Sequence, residues 1–239
     1  ILIASDVGLR YYSDNSLTSP VNLMYLGDNF TNQLSHLVYY TDARNDIWFE
    51  ESIKNQEINK PYRSFQFSGN SSNIIAFHFQ TPGCLKILDR KYSNSVTNPN
   101  LSFRQVDEIS FSKIDLIEKQ PVHIPFNPLF SQQTTKTWCY YFEKADLARQ
   151  FGEYEEIERL GDAAINSSQS PRIASEWLPF LEGYLWGANW ERSEWIIKNI
   201  QSSEGNFSGG MCYTLKRIKN DPDYPYQEEL LEIILAYNC

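Results

Sequence analysis

The sequence predicts an α+β protein with two parts: a mixed α/β subdomain in residues 1–132 and an all-α helical-repeat subdomain in residues 133–239. The first part has short apolar runs between clusters of turn residues, as strands do. The second part has apolar residues at the helical period. Within this part, Gly152-Glu153-Tyr154 and Ala188-Asn189-Trp190 correspond at a spacing of 36 residues, 188 minus 152.

The composition fits two modest folded domains. The chain has 239 residues, of which 41% are apolar and 21% charged, so it can bury a core. Its net charge of -9 opposes binding to a phosphate backbone, and we therefore expect no nucleic-acid partner. The aromatic share of 15% would supply cores, or else stacking platforms for sugars and peptides.

The first part is predicted to contain five strands. The apolar runs that predict them span residues 1–4, 37–40, 62–67, 74–79 and 85–88. The turn-forming residues 68–72 predict a hairpin between the third and fourth strands. Residues 45–58 have helical spacing and are predicted to form a helix across one face.

The residues between the two parts are predicted to be largely irregular. Residues 92–100 are rich in Ser and Asn and are expected to form a loop, followed by a short helix over 106–117. Residues 120–137 contain three prolines and a polar run, which disfavour regular structure. We place the subdomain boundary near residue 132.

The second part is predicted to contain three antiparallel helix pairs. Apolar stripes define four helices over residues 138–151, 154–164, 177–184 and 190–200, with Gly152 and Gly187 as breaks. A third pair is predicted near 209–219 and 226–238. Small residues mark close helix packing, namely Ala145, Ala148, Gly161, Ala164 and Gly183. The 36-residue spacing resembles tetratricopeptide repeats, whose period is about 34 residues. The alternative is an ordinary helical bundle.

No residue pattern points to catalysis, a cofactor or a metal. Glycine-rich phosphate loops, nucleophile elbows and zinc-protease motifs do not occur, and no Cys or His has metal-ligand spacing. His36, His78 and His123 are interpreted as packed or surface residues. The carboxylates over 153–158 fit a solvated first helical turn better than a glycosidase pair.

Two groups of residues are candidate binding positions. Stacked helix pairs present a concave groove lined by the first helix of each pair, and we expect exposed polar residues there to contact a partner. These are Glu143, Arg149, Glu176 and Glu182. Asp6, Arg10 and Tyr12 lie at a strand end, where ligands often bind in open α/β sheets, although an ion pair explains Asp6 and Arg10 equally well.

Four stretches resemble the C-terminal soluble region of multi-spanning bacterial membrane proteins of the dolichyl-phosphate-mannose glycosyltransferase type. They read ASDVGLRYY at 4–12, PGCLKILD at 82–89, WCYYFEKADLARQ at 138–150 and PFLEGY at 179–184. In such transferases the catalytic acids lie in the membrane-embedded portion, so the resemblance assigns no catalytic residue here. It implies a fragment of a longer protein on the extracytoplasmic side of a membrane.

These observations predict a non-catalytic accessory or interaction domain that positions a protein or glycan partner beside a membrane transferase. The alternative is a carbohydrate-binding module that uses exposed aromatic residues, and an independent hydrolase is a third and weaker hypothesis. No apolar run is long enough to span a membrane, so the fragment is expected not to span one. The sequence does not indicate an oligomeric state.

Cys212 and Cys239 are predicted to form a disulfide. Cys212 lies in the first turn of the fifth predicted helix and Cys239 just past the sixth, and these two ends meet in an antiparallel hairpin. An extracytoplasmic location would permit the bond. Cys84 and Cys139 are further candidates, but no feature of the sequence brings them together.

Overall fold

A computed structural model describes residues 1–5, 14–25, 32–40, 55–79, 81–118, 136–203 and 207–239. These residues form an α+β structure with two units. Unit 1 contains Ile1–Thr81, Leu85–Lys91 and Ser102–Thr134, and unit 2 contains Pro82–Cys84, Tyr92–Leu101 and Thr135–Cys239. The boundary predicted near residue 132 falls outside the described residues.

Two small sheets form the centre of unit 1. In chain order the strands are β1 Leu2–Ser5, β2 Gln33–Leu34, β3 Val38–Tyr40, β4 Glu57–Tyr62, β5 Phe65–Asn70, β6 Ile75–His78 and β7 Lys86–Leu88, with helix α1 Asp14–Tyr25 after β1. One sheet has the order β3-β1-β6-β7, with β7 antiparallel to β6 and the other pairs parallel. The other has the order β2-β5-β4.

Four of the five predicted strands are confirmed, at β1, β3, β6 and β7. The strand predicted over 62–67 is wrong, because a turn with Arg63 at a φ of 52° divides that stretch between β4 and β5. The hairpin predicted at 68–72 is also wrong, since β5 continues to Asn70. Gly69 belongs in this strand because the Phe67 ring covers it: a Cβ on Gly69 would lie 2.5 Å from that ring.

The two predicted helices of unit 1 have different outcomes. Of the helix predicted over 45–58, residues 45–54 fall outside the described residues, and residues 57 and 58 belong to β4. The helix predicted over 106–117 is α2 Phe103–Phe111 followed by a 3-10 turn at Ile114–Leu116. A capping box between Ser102 and Gln105 begins α2 earlier than the apolar spacing indicates.

All six helices predicted for the second part are present. They are α3 Trp138–Gln150, α4 Tyr154–Asn166, α5 Leu178–Trp186, α6 Trp190–Ser202, α7 Ser208–Lys219 and α8 Gln227–Ala236, with a 3-10 turn Ala174–Trp177 before α5. Each helix packs on the next, and the first helices of successive pairs also pack, α3 on α5 and α5 on α7. Unit 2 is therefore a layered stack of helix pairs.

The turns within the first two helix pairs repeat the same geometry 36 residues apart. The backbone N–H of Glu153 donates to Ala148 O at 3.0 Å, and that of Asn189 donates to Tyr184 O at 2.9 Å. The preceding residues, Gly152 and Ala188, have φ values of 68° and 54°. Both turns thus close the first helix with the same left-handed cap.

The small residues lie at close helix contacts, as predicted. A Cβ added to Gly183 would lie 2.5 Å from Ile157 Cγ2, and one added to Gly161 would lie 2.7 Å from the Tyr184 hydroxyl. Ala145 and Ala164 are fully buried. Close backbone approach therefore fixes how α4 packs on α5.

Across the described ranges, no helix combines the length and the apolar character needed to cross a membrane.

Candidate functional site

The predicted groove residues of unit 2 do not form the exposed surface that the sequence suggests. Glu143 is exposed on α3, but Arg149, Glu176 and Glu182 are at most 4% exposed. The prediction that these three are exposed is wrong, because other parts of unit 2 cover them. Asp6, Arg10 and Tyr12 lie outside the described residues.

The first helices of the three pairs share a buried ion network. Arg217 of α7 makes a bidentate pair with Glu182 of α5, one N–O distance being 3.0 Å. Arg149 of α3 lies 3.9 Å from the same carboxylate and also pairs with Asp146. Burial alone would lower the pKa of Arg217, but the charge of Glu182 and its hydrogen bond raise that pKa above its ordinary value. The network therefore stays charged and ties the three helices together.

Tyr92, from the segment 92–101, covers this network. Its ring lies 4.5 Å from the Arg149 guanidinium carbon and 4.8 Å from that of Arg217, so two cations contact one aromatic ring. Tyr92 is itself buried. The polar residues of the predicted groove therefore bind a segment of the same chain.

Glu176 has a similar intramolecular role. Its carboxylate accepts hydrogen bonds from the Cys84 backbone N–H and from the Trp138 indole N–H, both at 2.8 Å. The neighbouring disulfide Cys84–Cys139 has a Cα–Cα distance of 5.2 Å. Glu176 and this disulfide together hold residues 82–84 against α3.

The predicted disulfide Cys212–Cys239 is confirmed, with a Cα–Cα distance of 5.0 Å. The bond joins Cys212 in the first half of α7 to Cys239, three residues past the end of α8, and closes the last helix pair. All four cysteines are thus in disulfides. Two disulfides indicate an oxidising, extracytoplasmic environment.

An open cleft lies where the α3–α4 turn meets the end of α5. Two of its lining rings, Tyr154 and Trp186, stack face to face on each other, with centroids 4.3 Å apart and planes that differ by 4°. The cleft has a volume of about 780 Å³. We call it the aromatic cleft, and its lining residues are Gly152, Glu153, Tyr154, Glu155, Glu156, Glu158, Arg159, Trp186 and Gly187.

The carboxylates of the aromatic cleft differ in their electrostatics. A hydrogen bond from Arg159 lowers the pKa of Glu156. Burial, followed by the charges of Asp162 and Glu155, raises the pKa of Glu158. The Glu158 carboxylate lies against Gly187, where a Cβ would meet its oxygen at 1.3 Å. The cleft thus offers an ionised, arginine-paired carboxylate and one that protonates more readily.

The hydroxyl of Tyr154 in the aromatic cleft has a raised pKa. Burial, followed by the negative charge of Glu182, raises the pKa of its hydroxyl well above the ordinary value. The hydroxyl therefore stays protonated at neutral pH and remains a hydrogen-bond donor.

Sequence reasoning missed three residues that organise these sites: Tyr92, Trp186 and Arg217. Tyr92 lies in a segment predicted to be a loop, and Arg217 pairs with a residue 35 positions away. Trp186 directly precedes the helix break at Gly187, where an aromatic residue has a partly exposed position. The position of Trp186 beside this break is the sequence feature that predicts its partial exposure.

Within the described ranges, no group of three or more His, Cys, Asp or Glu side chains is arranged to hold a metal ion. Comparisons with protein-family models, curated proteins and solved structures find no match.

Proposed function

We propose that this chain is a non-catalytic interaction domain on the extracytoplasmic side of a membrane, belonging to a glycosyltransferase-like membrane protein and positioning a glycan partner. The aromatic cleft carries the proposal. Partly exposed aromatic rings beside several carboxylates match the chemistry of a sugar, which has apolar ring faces and many hydroxyl donors.

The proposal includes a tetratricopeptide-like architecture for unit 2. The repeated turn at Gly152 and Ala188, together with the packing of α3, α5 and α7 on one another, supports it. In this arrangement the groove is occupied by the chain's own Tyr92. The open ligand surface is then the aromatic cleft at the helix turns.

The membrane context rests on the resemblance of four stretches to transferase C-terminal regions, and the two disulfides support the extracytoplasmic side. Under this proposal a glycan held in the cleft is an acceptor or product of chemistry elsewhere in the parent protein. A free-standing carbohydrate-binding module is the second candidate, and the same stacked rings favour it. The two differ in whether glycan binding in the cleft changes transfer by the parent protein.

The proposal is tested by screening the full chain on a glycan array and measuring affinities of the bound glycans by calorimetry. Trp186→Ala removes one of the two stacked aromatic rings in the cleft lining and is expected to weaken binding about tenfold or more. Gly187→Ala displaces the Glu158 carboxylate from its position in the cleft. Glu155→Gln removes one hydrogen-bond acceptor and should weaken glycan affinity a few-fold, which corresponds to about one hydrogen bond.

Two matched controls accompany these variants. Glu191 occupies the first turn of α6 as Glu155 does that of α4, and both are exposed, so Glu191→Gln should leave binding unchanged. Trp195→Ala removes a partly exposed tryptophan outside the cleft. Equal losses for Trp195→Ala and Trp186→Ala, or no glycan bound by the folded chain, would contradict the proposal.

A further inference from the structure

A second cleft lies between α6 and α8 in unit 2. Its volume is about 370 Å³, within the range of ligand pockets. Apolar and acidic side chains line it together: Trp190, Glu194, Glu229, Glu232, Ile233, Ala236 and Tyr237. On α8 the lining positions follow a spacing of three and four residues, so they form one helical stripe.

A second stripe of α8 is also apolar and shares Glu232 with the cleft. Leu231 and Leu235 lie one turn apart and are 45% and 68% exposed. Glu228 and Glu232 share this stripe at helical spacing, so each exposed leucine lies beside a carboxylate. An exposed apolar stripe of this kind marks an interaction surface.

The carboxylates of α8 are not neutralised within the part of the chain that the structure describes. Glu228, Glu229 and Glu232 have neither an ion pair nor a side-chain hydrogen bond there, whereas Glu194 pairs with Lys198 at 3.3 Å. Residues 220–239 contain five carboxylates and no Lys or Arg. The surface therefore has a strong local negative charge around its apolar centre.

We propose that this surface of α6 and α8 docks a basic amphipathic helix of a protein partner. The partner's apolar stripe would cover Leu231 and Leu235 and place a side chain in the cleft beside Trp190. Its Lys or Arg residues would pair with Glu228, Glu229 and Glu232 of α8. This site is separate from the aromatic cleft, and the proposal does not rest on glycan binding.

The negative charge of this surface favours a basic helix over a second copy of this chain and over an anionic membrane. A second copy of this chain has a net charge of -9, and two α8 surfaces would bring like charges together. An anionic membrane surface would be repelled for the same reason, because membranes attract basic segments. A cationic amphipathic helix would be attracted by the carboxylates of α8 and would bury the exposed leucines.

The test uses the full chain, labelled with ¹⁵N on its tryptophans, and a synthetic helical peptide of Leu and Lys with leucines at a spacing of three and four residues. The expected result is 1:1 binding that weakens with added salt and shifts the Trp190 indole signal. A peptide of identical composition in scrambled order, which lacks an apolar stripe, should bind at least about tenfold more weakly.

Variants locate the surface. Leu231→Ser with Leu235→Ser should weaken the Leu/Lys peptide about tenfold or more, because two largely exposed leucines are buried on docking. Glu229→Gln with Glu232→Gln should weaken it about fivefold, the sum of two exposed ion pairs. Matched controls are Leu23→Ser, an exposed leucine on α1, and Asp115→Asn with Glu191→Gln, two exposed first-turn carboxylates.

The proposal is overturned if the scrambled peptide binds as tightly, or if the control variants weaken binding as much as the α8 variants. It is also overturned if Leu231→Ser with Leu235→Ser abolishes a self-associated species seen by sedimentation, which would identify a second copy as the occupant. Loss of binding to vesicles containing anionic lipid in the same variant would identify a membrane and refute the proposal equally. Circular dichroism and melting temperature establish that each variant is folded.

Discussion

Replacing Glu182 with Gln isolates the buried ion network on which the packing of α3, α5 and α7 depends. Glu182 is 1% exposed and accepts both Arg217 N–H groups, and it is also the nearest carboxylate of α5 to Arg149. Gln has nearly the same shape but no charge. The substitution therefore tests the electrostatics without opening a cavity.

The expected loss follows from which charges remain. Arg217 loses its carboxylate partner while most of its surface stays buried, whereas Arg149 keeps Asp146. Breaking a buried pair on one side costs about 3–5 kcal/mol, because an uncompensated charge is left inside. Since small domains have about 5–15 kcal/mol of stability in total, this loss is a large share.

The assay is urea unfolding of the full chain with disulfides intact, followed by helical circular dichroism. A double variant, Glu182→Gln with Arg217→Gln, removes both charges and should recover about 0.5–3 kcal/mol relative to the sum of the single losses. Glu156→Gln is the matched control, since Glu156 pairs with Arg159 at an exposed site and should cost at most about 1 kcal/mol. A loss for Glu182→Gln no larger than that of the control would refute the network.

Three further predictions concern the same unit. Replacing Cys212 and Cys239 with Ser should lower the free energy of unfolding by on the order of 3–4 kcal/mol for a loop of 27 residues, and mass spectrometry of the unreduced native chain should find no free thiol. Gly183→Ala should lower the free energy of unfolding in urea by about 1–3 kcal/mol, because the new methyl meets a side chain at 2.5 Å. The control Gly209→Ala, where the new methyl meets no atom within 4 Å, should be neutral or stabilising. Equal effects of the two substitutions would contradict the close contact. The pKa of Glu158 is raised by burial and by neighbouring charges, so stability falls as pH rises from the ordinary carboxyl pKa of 4.5 through the raised pKa. The Glu158→Gln variant should therefore have a higher melting temperature than the parent at pH 7 and the same melting temperature near pH 4. A difference in melting temperature that stays constant between these pH values would be inconsistent with the raised pKa.

The helices of unit 2 could be predicted because their signal is local. The stripe from Trp138 to Ala148 and the break at Gly152 fix a helix and its end within a few turns of chain. The Cys212–Cys239 disulfide could be predicted for the same reason, since both cysteines belong to one hairpin. Local geometry was sufficient in each case.

The exposure of Arg149 and Glu182 could not be predicted, because it depends on what lies over them. Tyr92 comes from a segment separated from α3 by the whole linker, and its pairing with two guanidinium groups leaves no periodic trace. The disulfide between Cys84 and Cys139, 55 residues apart, depends on the same long-range packing. The helical stripes therefore place Arg149 and Glu182 on their helices but give no sign of the segment that covers them.

The strand error has a different physical origin. The intrinsic preferences of Ser68 and Gly69 predict a turn, but Gly69 is required in β5 by the Phe67 ring that packs over it. A glycine can mark close contact as well as a tight turn. Tertiary packing overrode the local preference.

Glycan binding in the aromatic cleft is tested most directly by the ¹⁵N-indole spectrum of the full chain. The chain is titrated with the glycans that it binds on the array. Trp186 stacks on Tyr154 and lines the cleft, so its indole signal should shift on binding, while Trp138 and Trp177, buried in the core, should not. The shift should follow the same saturation curve as the calorimetric affinity. A saturating glycan that leaves the Trp186 signal unmoved would contradict the claim.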